Sequence, residues 1–123
     1  MIGTLSAVVL DCRDPQALAA FYAEVLGGEI TVEEEGSWVE LERAGQQRLS
    51  FQLAPGLRAP AWPDPERPQQ FHLDIAVQAA RMDDAEKRVL ELGARLLEGD
   101  GDGARTWRVY ADPEGHPFCL CAC

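Results

Sequence analysis

Basic side chains are in short supply in this sequence: eleven Lys and Arg face twenty-one Asp and Glu, for a formal charge of −10. Nucleic acid and anionic membrane surfaces both need a positive face, so neither is expected as a partner. A charge summed over the chain does not describe a local pocket, so it selects no substrate. Long apolar runs are missing too, and nothing approaches the roughly 20 residues of a membrane span. The opening "MIGTLSAVVLDCRDP" has no basic n-region and meets an acid at Asp11. A secretory signal is therefore not expected, and a cytoplasmic protein is. Cysteine is sparse and oddly placed. Cys12 stands alone, while Cys119, Cys121 and Cys123 alternate at the far end. That is not the spacing of a secreted disulfide framework, and neighbours two apart on one strand are poorly placed to join. Reduced thiols are expected at all four.

The sequence does have enough apolar matter for a core: 46% of its 123 residues are hydrophobic, which fits one packed domain. The first twelve residues read as a strand, with Val8, Leu10 and Cys12 on one face and Ala7, Val9 and Asp11 on the other. Asp14-Pro15 supplies an N-cap and a first helical residue. The segment "QALAAFYAEVLGG" then places Leu18, Phe21, Tyr22, Val25 and Leu26 at helical spacing before Gly27-Gly28 ends it. Three short strands are expected near 29–34, 37–43 and 47–54. Residues 55–70, "PGLRAPAWPDPERPQQ", hold five of the eight prolines and read as a linker. The order then recurs. "FHLDIAV" is a strand, and "RMDDAEKRVLELG" a helix with Met82, Ala85, Val89 and Leu92 inward. "ARLLEG" is a strand, "DGDG" a loop, and "RTWRVYADPEGHPFCLCA" a hairpin. "EVLGGEI" and "LELGARL" match as helix end into strand, and "SWVELE" resembles "TWRVYA". The organising fact is a two-fold repeat of strand, helix and three strands.

With "DPQALAAFYAEVLGGE" in the first half, "FHLDIAV" opening the second and "WRVYADPEGHPFCL" closing it, the chain resembles the vicinal oxygen chelate superfamily: glyoxalases, bleomycin-resistance proteins and extradiol dioxygenases. The small glyoxalase-like domains are the subgroup it is most similar to. The resemblance covers essentially the whole chain. It implies an α+β fold of two tandem βαβββ modules whose curved mixed sheets enclose a cleft. Module one would span 1–54, the linker 55–70 and module two 71–123, and a homodimer is implied as well. Metal-dependent members hold a divalent ion through one residue from the first and one from the last strand of each module. Carried over, those four positions are Ala7, Gln52, His72 and Cys119. Ala7 has no ligand atom, Gln52 only a neutral amide oxygen, and Cys119 a thiolate in place of a hard carboxylate. The set is degenerate, and no metal cofactor is expected at a hard octahedral site.

Period-two geometry extends the cleft face. With His72 facing the cleft, so do Asp74 and Ala76, and Leu73, Ile75 and Val77 lie beneath the helix. Ser50 and Gln52 join that face, with Leu49, Phe51 and Leu53 in the core. So do Cys119 and Cys121, with Phe118 and Leu120 in the core. Trp38 and Trp107 are candidate aromatic walls. His72 reads either as a general base oriented by Asp74 or as half of a polar pair on a wet sheet face. The Cys119/Cys121/Cys123 stripe reads as buried thiols or, with His72, as a soft site for zinc. Trp62 either caps the cleft or packs the linker down. His116 reads as a solvated turn residue, and Glu33, Glu34 and Glu35 as solvated surface.

Three functions follow from the resemblance. The leading one binds a small organic molecule in the cleft without the usual metal, to sequester it or act on it. The second is a metal-dependent lyase or isomerase of glyoxalase type using His72 with an atypical ligand set. The third is a non-catalytic regulatory or interaction domain.

Overall fold

The computed structural model describes residues 1–122. The chain divides into two compact units, Met1–Leu57 and a second beginning at Arg58.

The first unit runs β1 (Val8–Cys12), α1 (Pro15–Leu26), β2 (Glu29–Glu33), β3 (Trp38–Glu42) and β4 (Leu49–Leu53). Its sheet has the order β1-β4-β3-β2, with β1 parallel to β4 and the other pairs antiparallel. The helix starts where the sequence places it: the Asp14 carboxylate accepts from Ala17 N at 3.1 Å, satisfying an otherwise unpaired N–H, and Pro15 follows. Leu18, Phe21 and Tyr22 are buried, as are Val39, Leu41, Leu49 and Phe51 of the sheet. Tyr22 stacks on Phe51 at 5.9 Å between ring centroids. Gly28, at φ +110°, lets β2 turn back close to β3. A Cβ there would stand 2.6 Å from the Glu42 carbonyl oxygen.

The second unit repeats the plan with β5 (Leu73–Ala76), α2 (Met82–Glu91), β6 (Arg95–Glu98), β7 (Trp107–Ala111) and β8 (Pro117–Cys121). Its order is β5-β8-β7-β6, again with the first and last strands parallel. Tyr110 stacks on Phe118 at 5.4 Å beneath α2, and the Tyr110 hydroxyl donates to Glu86 Oε2 at 2.7 Å. Arg108 reaches three carboxylates: Asp83 and Glu86 of α2, and Asp100 of the loop after β6. One guanidinium thus ties helix, sheet and loop together. The β7–β8 turn is held by Asp112, whose carboxylate accepts from Glu114 N at 2.9 Å and His116 N at 3.0 Å.

Four expectations need correction. Residues 1–7 lie outside any strand, because pairing with β4 begins at Val8, opposite Leu49. His72 precedes β5, whose ladder with β8 begins at Leu73. Leu53 is 42% exposed rather than in the core, because it closes β4 opposite Cys12, at the end of the β1 ladder. Cys121 is disulfide-bonded rather than reduced. Cys123 lies outside the described residues.

The stretch 55–70 is less open than its prolines imply. It folds back on itself, with Ala61 N donating to Arg67 O at 3.1 Å, and the Trp62–Pro63 bond is cis. Trp62 there is half-buried.

Candidate functional site

The parallel pairing of β5 with β8 puts Asp74 directly opposite Cys119. His72, two residues before Asp74, follows it onto the same side. The result is a compact cluster in which one donor atom from each of His72, Asp74 and Cys119 lies within 4.8 Å of the others. His72 Nε2 stands 3.3 Å from Asp74 Oδ1, with the two side chains 41% and 61% exposed. Cys119 is buried, at 8% exposure, and is a free thiol. The cluster therefore has a closed floor at the sulfur and an open side at the imidazole and carboxylate.

Electrostatics fix the resting state of the sulfur. Burial pushes the Cys119 thiol up to about 11, helped by the Asp74 charge, by a hydrogen bond to Asp74 and by the Glu98 charge. At neutral pH it is a thiol, not a thiolate, and so a poor nucleophile on its own. A cation is what would reverse that balance.

The donor set, one imidazole nitrogen, one carboxylate oxygen and one sulfur, suits a borderline ion of the zinc type with a fourth position open. The 3.3 Å between Nε2 and Oδ1 matches the roughly 3.3–3.6 Å between ligand atoms around a tetrahedral ion with bonds of about 2.0–2.3 Å. The set does not suit an all-oxygen octahedral ion. Asp74 was not among the four family positions on which the expectation of no metal rested. Of those four, His72 and Cys119 stand together with Asp74 in the second unit.

Ala7 and Gln52 belong to the first unit. There Gln52 lies opposite both Trp38 and Asp11, and Ser50 opposite both Glu40 and Val9. Trp38 Nε1 donates to Glu40 Oε1 at 3.1 Å. Ser50 is fully buried, and its hydroxyl has no hydrogen-bond partner. Ala7 is half-buried and offers no donor. His116 sits in the β7–β8 turn, and Glu33, Glu34 and Glu35 are exposed. Trp107, 42% exposed, lies opposite Cys121 in the second unit. Two charged residues beside these groups were missed: Glu40, legible from the alternation of β3, and Glu98, which was not.

With this geometry in hand, the likenesses to known proteins are consistent. The chain is similar in fold to a glyoxalase/bleomycin resistance protein/dioxygenase family enzyme from Burkholderia phytofirmans (22% identity, 96% of this chain and 97% of that one, TM-score 0.73). It is similar to the fosfomycin resistance protein FosX from Listeria monocytogenes, a mutant complexed with Mn(II) and 1S,2S-dihydroxypropylphosphonic acid (19% identity, 99% and 91% covered, TM-score 0.73). A glyoxalase/dioxygenase from Nostoc punctiforme shares the fold as well (22% identity, 95% and 88% covered, TM-score 0.66). No curated protein matches in sequence. Among the described residues, no helix is long and apolar enough to cross a membrane. The family profile described as "Glyoxalase-like domain" matches residues 7–121. The chain thus belongs to the glyoxalase-like domain family of the vicinal oxygen chelate superfamily.

Proposed function

We propose that this domain binds a small oxygen-bearing organic molecule at a zinc-type divalent ion held by His72, Asp74 and Cys119. The observation that carries this reading is the convergence of three chemically different donors within 4.8 Å. A bound ion would supply Lewis-acid polarisation of a ligand oxygen. The chain's own residues do the rest. With an ion bound, His72, Asp74 and Cys119 would each supply one ligand atom and Cys119 would have to give up its proton; in the ion-free chain His72 Nε2 and Asp74 Oδ1 face each other at 3.3 Å. Structures of related fold give general support, since the Listeria protein is complexed with Mn(II) and a phosphonate diol.

A second reading keeps the same ligand class without a metal. It is favoured by Ala7, which offers no donor at a position where metal-dependent relatives of the family carry one. In that case His72 and Asp74 hydrogen-bond the ligand directly.

Equilibrium dialysis of tag-free protein against zinc and manganese separates the two. The metal reading expects one zinc per chain, retained against manganese and lost in His72→Ala and Cys119→Ser. No uptake of either ion, with ligand binding intact, establishes the second reading instead.

A further inference from the structure

The first unit holds a cavity of its own, in which the ion cluster has no part. Its volume is about 780 Å³, and it opens where β2 begins, β3 ends and the turn after β3 runs into β4. Gly28 shapes one wall. At φ +110° it has no side chain to offer, and a Cβ there would stand 2.6 Å from Arg43 Cγ. The missing Cβ lets the Arg43 side chain lie across the start of β2 and fold back over its own turn. Arg43 Nη1 donates to Gln46 Oε1 at 2.6 Å and Nη2 to the Gln47 carbonyl, while Gln46 N donates to Arg43 O at 3.0 Å.

The charges lining this cavity do not cancel in place. Arg43 spends its hydrogen bonds on two neutral oxygens, and among the described residues no carboxylate pairs with it. Glu29 is exposed and, among the described residues, pairs with no cation. It lies directly opposite Glu42 in the β2–β3 ladder, a position where like charges repel. Arg48 answers only one of the two: it stands 2.9 Å from Glu42 and also reaches Glu40 at 3.6 Å. One guanidinium is thus left without an anion, and a pair of carboxylates with half its counter-charge.

That arrangement discriminates between ligands by charge. A simple anion drawn to Arg43 also meets Glu29 and Glu42. A simple cation drawn to the carboxylates also meets Arg43 and Arg48. A molecule that carries both signs a few bonds apart satisfies both walls. We propose that this cavity binds the zwitterionic head of an α-amino acid, its carboxylate on Arg43 and its ammonium between Glu29 and Glu42. The volume exceeds that of the head group, which leaves room for a side chain. No residue of the ion cluster enters this site, so it stands or falls apart from the metal reading.

An NMR titration of the isotope-labelled chain with glycine, N-acetylglycine and glycinamide gives the test. Glycine carries both charges, N-acetylglycine only the carboxylate and glycinamide only the ammonium. Glycine should shift the amide signals of Gly28, Glu29, Gln46 and Gln47 saturably, with the millimolar affinity expected of partly exposed charge pairs. Each analogue should bind at least about threefold more weakly. Glu29→Gln, which alters an exposed side chain outside every ion pair of the unit, should lower glycine binding to the level of N-acetylglycine. Arg43→Gln should lower it to the level of glycinamide. Because Arg43 also holds its turn, Glu29→Gln is the deciding variant. The absence of saturable shifts with glycine, analogues that bind as well as glycine, or native glycine affinity in Glu29→Gln overturns the proposal.

Discussion

Exchanging one atom, in Cys119→Ser, tests how the cluster treats a cation. In the folded chain the thiol is held at about 11, so at pH 7.5 it is protonated and must lose its proton to act as a ligand. The gap of about 3.5 pH units corresponds to about 5 kcal/mol. That cost is large, but it is below the roughly 10–16 kcal/mol apparent binding free energy of structural zinc sites. Two consequences follow. Zinc uptake releases a proton from Cys119, and this sulfur alone makes the affinity rise about tenfold per pH unit up to about pH 10. Calorimetric titration in buffers of different protonation enthalpy counts the protons. The native chain should release about one more per zinc than Cys119→Ser, while manganese, which favours oxygen donors, should show no such difference. Equal proton counts for zinc would mean that the sulfur does not bind as a thiolate, and the reasoning from its burial and its neighbours would fail.

Further outcomes follow from the same structure. Because the folded Cys119 thiol is raised from 9.0 to about 11, its contribution to stability is full below about pH 9 and is lost as pH climbs towards 11. The loss amounts to about 3 kcal/mol, and urea unfolding across that range should show that much more loss in the native chain than in Cys119→Ser, where the Tyr110 hydroxyl, also raised by burial, still costs stability above pH 10. Replacing Arg108, whose side chain is 13% exposed among three carboxylates, with Leu should cost about 2–4 kcal/mol in urea unfolding. The Asp100 carboxyl, held low first by the Gly103 N–H and then by Arg108, should move only part of the way back in an NMR titration of that variant. Asp112→Ala removes two turn hydrogen bonds from a buried carboxylate, and a loss of about 2 kcal/mol is expected from the urea midpoint.

Most of the fold could be read from the chain because its signals are local. Asp14-Pro15 and Gly27-Gly28 bracket α1 in the sequence as they do in the structure. The alternation of Leu73, Asp74 and Ile75 survives as half-buried, exposed, half-buried. Asp74 was legible from that alternation, yet its place opposite Cys119 depends on the register of a parallel pair some forty-five residues apart in sequence. Glu98 was not legible at all. Plain alternation along "ARLLEG" assigns it to the wrong face, because the bulge at Leu97 is set by pairing with β7 and not by composition. The hairpin that closes the chain was legible almost to its last residue, but the state of its sulfur was not: alternation reads Cys121 as a reduced thiol, and it is disulfide-bonded.

The central claim is that His72, Asp74 and Cys119 bind one ion together, and the absorption spectrum of the cobalt(II)-loaded chain tests it most directly. Tetrahedral binding through the sulfur should give intense visible bands and a near-ultraviolet thiolate-to-cobalt charge-transfer band. Cys119→Ser should abolish the charge-transfer band, and His72→Ala and Asp74→Ala should weaken cobalt uptake. A pale, octahedral-type spectrum that none of the three substitutions alters would contradict the account.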